Sequence, residues 1–206
     1  KGVVLNEMKG AYSSPDQLLA RYSLQSLFPH TLYSNDSGGD PEEIIKLTYD
    51  EFKNFHQTFY HPSNARFFFY GDDDPFKRLE FIHEIIKNFD RKKINFTIPP
   101  QPFLSFPEPK RFIIPYPINP QEKATNKWLF TMNWLLTETA DQELNLGMRI
   151  LNHILLGTPA SPLRKKLIES GLGEDITGDG LDSDLRQMIF SCGLKGYHQK
   201  DQHQIE

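Results

Sequence analysis

The sequence predicts an α+β chain, and three observations carry that prediction. Helix starts with well-formed caps recur through the first part, a proline-dense stretch interrupts them, and β-rich segments then alternate with further helices.

Ser14-Pro15-Asp16-Gln17 places a hydroxyl at an N-cap, proline at the first helical position and a glutamine able to reach back. The helix that follows is expected to bury Leu18, Leu19 and Tyr22, with Leu27 near its end. Asp40-Pro41-Glu42-Glu43 repeats the pattern with a carboxylate cap. Thr48-Tyr49-Asp50-Glu51 gives a capping box that opens a helix over 52–59, which His61-Pro62 terminates. Residues 64–70 are rich in aromatic side chains and bounded by Pro62-Ser63 and Gly71-Asp72, which predicts a largely buried strand. Asp74-Pro75 then caps a helix with Phe76, Leu79, Ile82, Ile86 and Phe89 at helical spacing.

From 92 to 120 the prolines at 99, 100, 102, 107, 109, 115, 117 and 120 deny the backbone regular donors. This predicts an extended, exposed linker with one embedded strand at 111–114. Beyond it, 127–136 has strand character, and 141–156 is a helix with Leu144, Met148, Leu151 and Leu155 on one face. Ser161-Pro162 is expected to cap a further helix that Gly171 ends as the left-handed C′ residue. Residues 175–180 and 188–196 read as strands joined by a polar turn.

The 206 residues, 38% hydrophobic and 24% charged, describe a globular chain with enough apolar content to form a core. A formal net charge of −4 with scattered cations argues against a nucleic-acid partner. No apolar run approaches the roughly 20 residues a membrane span needs. The single cysteine, Cys192, can form no internal disulfide and is expected to be a buried, inert thiol. Lys1-Gly2-Val3-Val4-Leu5 has neither an initiator methionine nor a signal-peptide profile, and residues 200–206 read as a helix opening that stops early. Both ends are therefore expected to be products of truncation or processing.

Seven histidines invite a metal hypothesis, but none forms the i, i+4 pair that sets two imidazoles on one helix face. His56 and His61 are five apart, as are His198 and His203, and His30, His83 and His153 are isolated; surface or packing roles are expected. Asp72-Asp73-Asp74 lacks the spaced oxygen ligands of a calcium loop and sits where a helix N-terminus attracts negative charge. Ser37-Gly38-Gly39-Asp40 lacks the lysine of a phosphate loop and reads as a turn. No Gly-x-Ser-x-Gly elbow is present, and Cys192 has no histidine in register.

Longer motifs carry more. Gly2-Val3-Val4-Leu5-Asn6-Glu7-Met8-Lys9-Gly10-Ala11, Ser14-Pro15, Ser37-Gly38-Gly39-Asp40-Pro41, His61-Pro62-Ser63-Asn64-Ala65-Arg66, Tyr70-Gly71-Asp72, Leu156-Gly157-Thr158-Pro159-Ala160-Ser161-Pro162-Leu163 and Ile168-Glu169-Ser170-Gly171-Leu172-Gly173 follow one another in this order. Together they resemble the presequence-protease and falcilysin branch of the pitrilysin/insulinase superfamily of zinc metallopeptidases. The resemblance runs from end to end, with 92–123 adding little.

What the resemblance implies is an enzyme of four related α+β domains, each an antiparallel sheet packed with helices, in two halves that close around a peptide. Residues 1–94 would be the later part of the first, zinc-site domain, 95–110 a proline-rich linker, and 111–206 the opening of the second domain. Zinc would be held by two histidines of an inverted His-x-x-Glu-His motif and a downstream glutamate, which matches Glu7. This chain contains no His-x-x-Glu-His, so no catalytic residue is assigned within it and a lone carboxylate is not expected to retain zinc. The parent is expected to be a monomeric zinc metalloendopeptidase that cleaves unstructured peptides, such as released targeting presequences, in the mitochondrial matrix or another organelle lumen. Its rivals are a catalytically inactive structural member of the same superfamily and a peptide-binding module that uses a sheet edge.

Overall fold

The computed structural model describes residues 2–94, 97–103, 108–119, 121 and 124–205. Among them lie eight α-helices and one three-stranded antiparallel sheet, which makes the chain α+β as its sequence predicts. In chain order these are α1 (Gly2–Ala11), α2 (Pro15–Leu27), α3 (Pro41–Ile44), α4 (Tyr49–Phe59), α5 (Pro75–Ile86), β1 (Trp128–Glu138), α6 (Gln142–Leu156), α7 (Pro162–Glu169), β2 (Asp175–Asp182), β3 (Gln187–Tyr197) and α8 (Gln202–Ile205). The chain divides into two compact units, Lys1–Pro41 with Ile98–Glu206, and Glu42–Thr97.

The sheet of the first unit runs β1-β3-β2, with β3 central and antiparallel to both neighbours. The buried side chains Met188, Ile189, Leu194 and Tyr197 all come from β3, because only the middle strand is flanked on both sides. Gly193 makes the three strands fit. A Cβ there would stand 2.0 Å from the Phe130 carbonyl oxygen and 2.7 Å from Thr177 Oγ1. The space it leaves lets the buried Thr177 hydroxyl on β2 reach past β3 and donate to that same Phe130 oxygen on β1. Left-handed Gly178 and Gly180 absorb the register shift between Thr177 and Gly180. α6 starts at Asp141, whose carboxylate accepts from Leu144 N at 3.0 Å, and Asn152 on its inner side accepts from Leu181 N at 3.1 Å. α2 is joined to β1 by the Asn133 side-chain amide donating to Ser23 Oγ at 3.2 Å, and Phe28 beyond its end is fully buried.

The proline-rich stretch is extended without regular structure where it is described, but it is not free. Gln101 is 1% exposed: its N–H donates to Gln187 Oε1 at 2.6 Å, and Gln187 Nε2 donates to the Gln101 carbonyl at 3.1 Å. Its own Oε1 accepts from His30 N at 3.0 Å, while Arg186 donates to the Ile98 carbonyl. The expectation of an exposed linker is thus corrected at Gln101, which is buried, and at half-buried Ile98, while Pro99, Pro100, Pro102 and Phe103 are exposed. Residues 104–107 of the predicted linker, with 95 and 96, lie outside the described residues. The strand expected at 111–114 is not formed; 108–119 carry no regular structure and have no ladder partner among the described residues.

In the second unit the capping box at α4 is complete: Thr48 Oγ1 accepts from Glu51 N at 3.3 Å, and Glu51 Oε2 accepts from Thr48 N at 2.8 Å. The bonds this carboxylate accepts, first from the Thr48 N–H and then from the Thr48 hydroxyl at 2.7 Å, hold it below the usual glutamate range. Asp74 caps α5 by accepting from Phe76 N at 2.9 Å. The buried strand expected at 64–70 is not formed. Pro62–Asn64 is a 3-10 turn, the residues after it have no regular structure, and Phe68 and Tyr70 are 88% and 97% exposed. A strand needs a neighbour to satisfy its backbone, and none pairs with this segment among the described residues. The α5 stripe is similarly open, with Ile82 and Ile86 half-buried and Phe76, Leu79 and Phe89 exposed.

Candidate functional site

Glu7 lies on α1, a helix with no buried residue. Its carboxylate is exposed and has no hydrogen-bond or ion-pair partner among the described residues. Next to it, the half-buried Met8 packs against the turn at 37–40. A Cβ on Gly38 would meet Met8 Sδ at 2.2 Å, so glycine here gives the thioether its seat. The turn itself is tied by Asp36, whose Oδ1 accepts from Gly38 N at 3.0 Å, and by Gly39 at φ +88°.

Arg21, which the motifs did not single out, sits at the centre of this region. Its Nη2 donates to Asp40 Oδ2 at 3.0 Å, its Nη1 lies 3.8 Å from Asp36 Oδ2, and its guanidinium stacks 4.2 Å from the centroid of the Tyr12 ring. The side chain is 15% exposed. No sequence signal marks Arg21, since its carboxylate partners stand 15 and 19 residues away.

The other candidates resolve into structural roles. Asp73 pairs with Arg78, whose guanidinium lies 4.5 Å from the Phe69 ring centroid, and Asp74 is a cap, so the acidic run serves the start of α5. His61 is buried, accepts from Ser63 N at 3.2 Å through Nδ1 and meets Phe89 edge-on; His56 stacks on Tyr60. Cys192 is half-buried rather than buried, in mid-β3, and its desolvation pushes the thiol pKa up, which disfavours the reactive thiolate. Ser161 stands at the N-cap of α7 but does not cap it. Its buried hydroxyl accepts from Thr158 N at 3.0 Å and donates to the His153 carbonyl at 3.2 Å, sewing α7 to the end of α6. Gly171 does end α7, at φ +64°. Among the described residues no group of three or more His, Cys, Asp or Glu side chains converges to hold a metal ion. Among the described residues no helix is long and apolar enough to cross a membrane.

Comparison with known proteins agrees with the family resemblance. The chain is 46% identical over 213 residues to presequence protease 1, chloroplastic/mitochondrial, of Arabidopsis thaliana, covering 100% of this chain and 19% of that protein. It is 43% identical over 195 residues to Protein HypA of Clostridium perfringens, covering 94% and 20%. It is 38% identical over 206 residues to the mitochondrial presequence protease of Mus musculus, covering 98% and 20%. The chain therefore spans about a fifth of the length of these relatives. The family described as peptidase M16 inactive domain matches residues 46–203, a region that contains α4 through β3 and leaves Glu7 outside it. With most of its length matched in this way, the chain belongs to the M16 peptidase family.

Proposed function

We propose that the parent protein is a zinc metalloendopeptidase that degrades unstructured peptides such as cleaved targeting presequences, and that Glu7 is one of its zinc ligands. The observation that carries this reading is the 46% identity to a presequence protease over 213 residues, covering 100% of this chain. Glu7 suits the role chemically: carboxylate oxygens are ordinary zinc ligands, and its own are exposed and unclaimed among the described residues. Zinc, when bound, would polarise a water and stabilise the oxyanion at the scissile carbonyl. This chain's share is to present the Glu7 carboxylate from α1; the histidine ligands and the water-activating glutamate are assigned to other parts of the parent.

In this reading residues 1–94 complete the zinc-site domain, 95–110 connect, and 111–206 open the next domain. The exposed aromatic side chains of 67–70 and α5 then face the rest of the parent. An organelle lumen is the proposed compartment, following the names of the plant and mouse relatives; the Clostridium relative makes a bacterial setting the alternative. A second reading is favoured by one observation. The matched family is described as an inactive domain, so residues 46–203 would serve as scaffold for chemistry done elsewhere, or the parent would be an inactive structural member altogether.

The deciding experiment is Glu7→Gln in the full-length protein. Zinc affinity should fall by more than about 100-fold, beyond what outer-shell changes cause, and peptide cleavage should fall with it while the fold is kept. Undiminished zinc binding together with an unchanged cleavage rate on an unstructured peptide would make Glu7 a bystander.

A further inference from the structure

α1 carries Glu7 yet buries none of its 10 residues. A helix that short is marginal alone, so a few side-chain seats rather than core burial must fix its rotation. Two seats are visible. Met8 occupies the space left by the missing Cβ of Gly38, and Tyr12, one residue past the helix, lays its ring against Arg21 at 4.2 Å. Both lead to one guanidinium: Arg21 bonds Asp40 at 3.0 Å and faces Asp36 at 3.8 Å, and Asp36 holds the Gly38 N–H. The same side chain thus fixes the turn that seats Met8 and the ring that closes α1. At 15% exposure its ion pairs are shielded from the screening that weakens surface pairs.

We propose that Arg21 is a positioning residue for Glu7, aiming the carboxylate by locking both ends of its local seat; this rests on Glu7 being a zinc ligand. Arginine suits the task because a planar fork can serve two carboxylates and an aromatic face at once, whereas lysine offers a point charge. Arg21 makes no contact with the metal itself.

The test is a double-mutant cycle in the full-length protein, reading zinc affinity by chelator competition and the fold by thermal unfolding. Arg21→Met should weaken zinc binding by about 10- to 100-fold, the range of outer-shell ligand support, with Arg21→Lys falling between it and the unmutated protein. In a Glu7→Gln background, Arg21→Met should cost no further zinc affinity, because the group it aims is gone. An Arg21→Met protein with unchanged zinc affinity, or a loss that simply adds to that of Glu7→Gln, overturns the positioning role and leaves the ligand assignment intact. Unchanged affinity in Glu7→Gln alone overturns both. Should Arg21→Met fail to fold, Asp40→Asn, which removes only the charged acceptor, reads the same cycle with the same two outcomes.

Discussion

Replacing Gln187 by leucine tests how much of the hold on the proline-rich segment comes from its one side-chain amide. Gln187 and Gln101 are 2% and 1% exposed, and the Gln187 amide both accepts from Gln101 N and donates to Gln101 O, as an adjacent strand would. Leucine keeps much of the shape and removes both bonds. One buried N–H and one buried carbonyl are then orphaned at about 1–3 kcal/mol each, or about 2–6 kcal/mol together. With a factor of ten for each 1.4 kcal/mol, even the lower figure corresponds to roughly 30-fold faster hydrogen exchange at Gln101. Mass-spectrometric exchange on a peptide covering 97–103 reads this directly, with a β1 peptide as internal control. The His30 and Arg186 bonds remain, so the effect should stay local. Unchanged exchange in 97–103, or an equal rise in β1, would show that the amide pair is not what holds the segment.

Two further outcomes are expected. Gly193→Ala should lower stability by about 1–3 kcal/mol, as overpacking does, because its Cβ would stand 2.0 Å from the Phe130 oxygen in the middle of the sheet; an unshifted unfolding midpoint would refute the close approach. Acidification should loosen the start of α4. The folded Glu51 carboxyl has a lowered pKa, so its stabilisation is present above the unfolded value of about 4.3 and is lost as pH falls through the folded one. Thr48→Ala removes only the hydroxyl bond and should shrink that pH dependence, whereas Glu51→Gln removes the titrating group and should abolish it, which exchange at the first amides of α4 would register.

Much of this architecture could be read from single residues because its signals are local. Ser14, Thr48, Asp74 and Asp141 bond to amides two or three positions ahead, so the sequence alone shows where those helices begin. Gly171 announces a left-handed stop for the same reason. What escaped were contacts between distant positions. Gln101 and Gln187 are 86 residues apart, and nothing near either predicts their pairing. Ser161 carried the right residue type at a cap position, yet its hydroxyl is taken by Thr158 and His153. The aromatic run at 67–70 shows the converse error: its composition fits a buried strand, but a strand exists only with a neighbour to pair with. For the candidate site, Glu7 came from motif resemblance alone, and Arg21, joined to the turn only through space, was invisible.

That same run has a practical consequence. Phe67, Phe68, Phe69 and Tyr70 stand between 45% and 97% exposed. A short window with high strand propensity, no proline and charge only at its flanks is what cross-β association selects, and here no fold hides it. Handled on its own, a polypeptide of this sequence would carry its own seed for aggregation. Covering that run would then be as much a matter of colloidal stability as of chemistry.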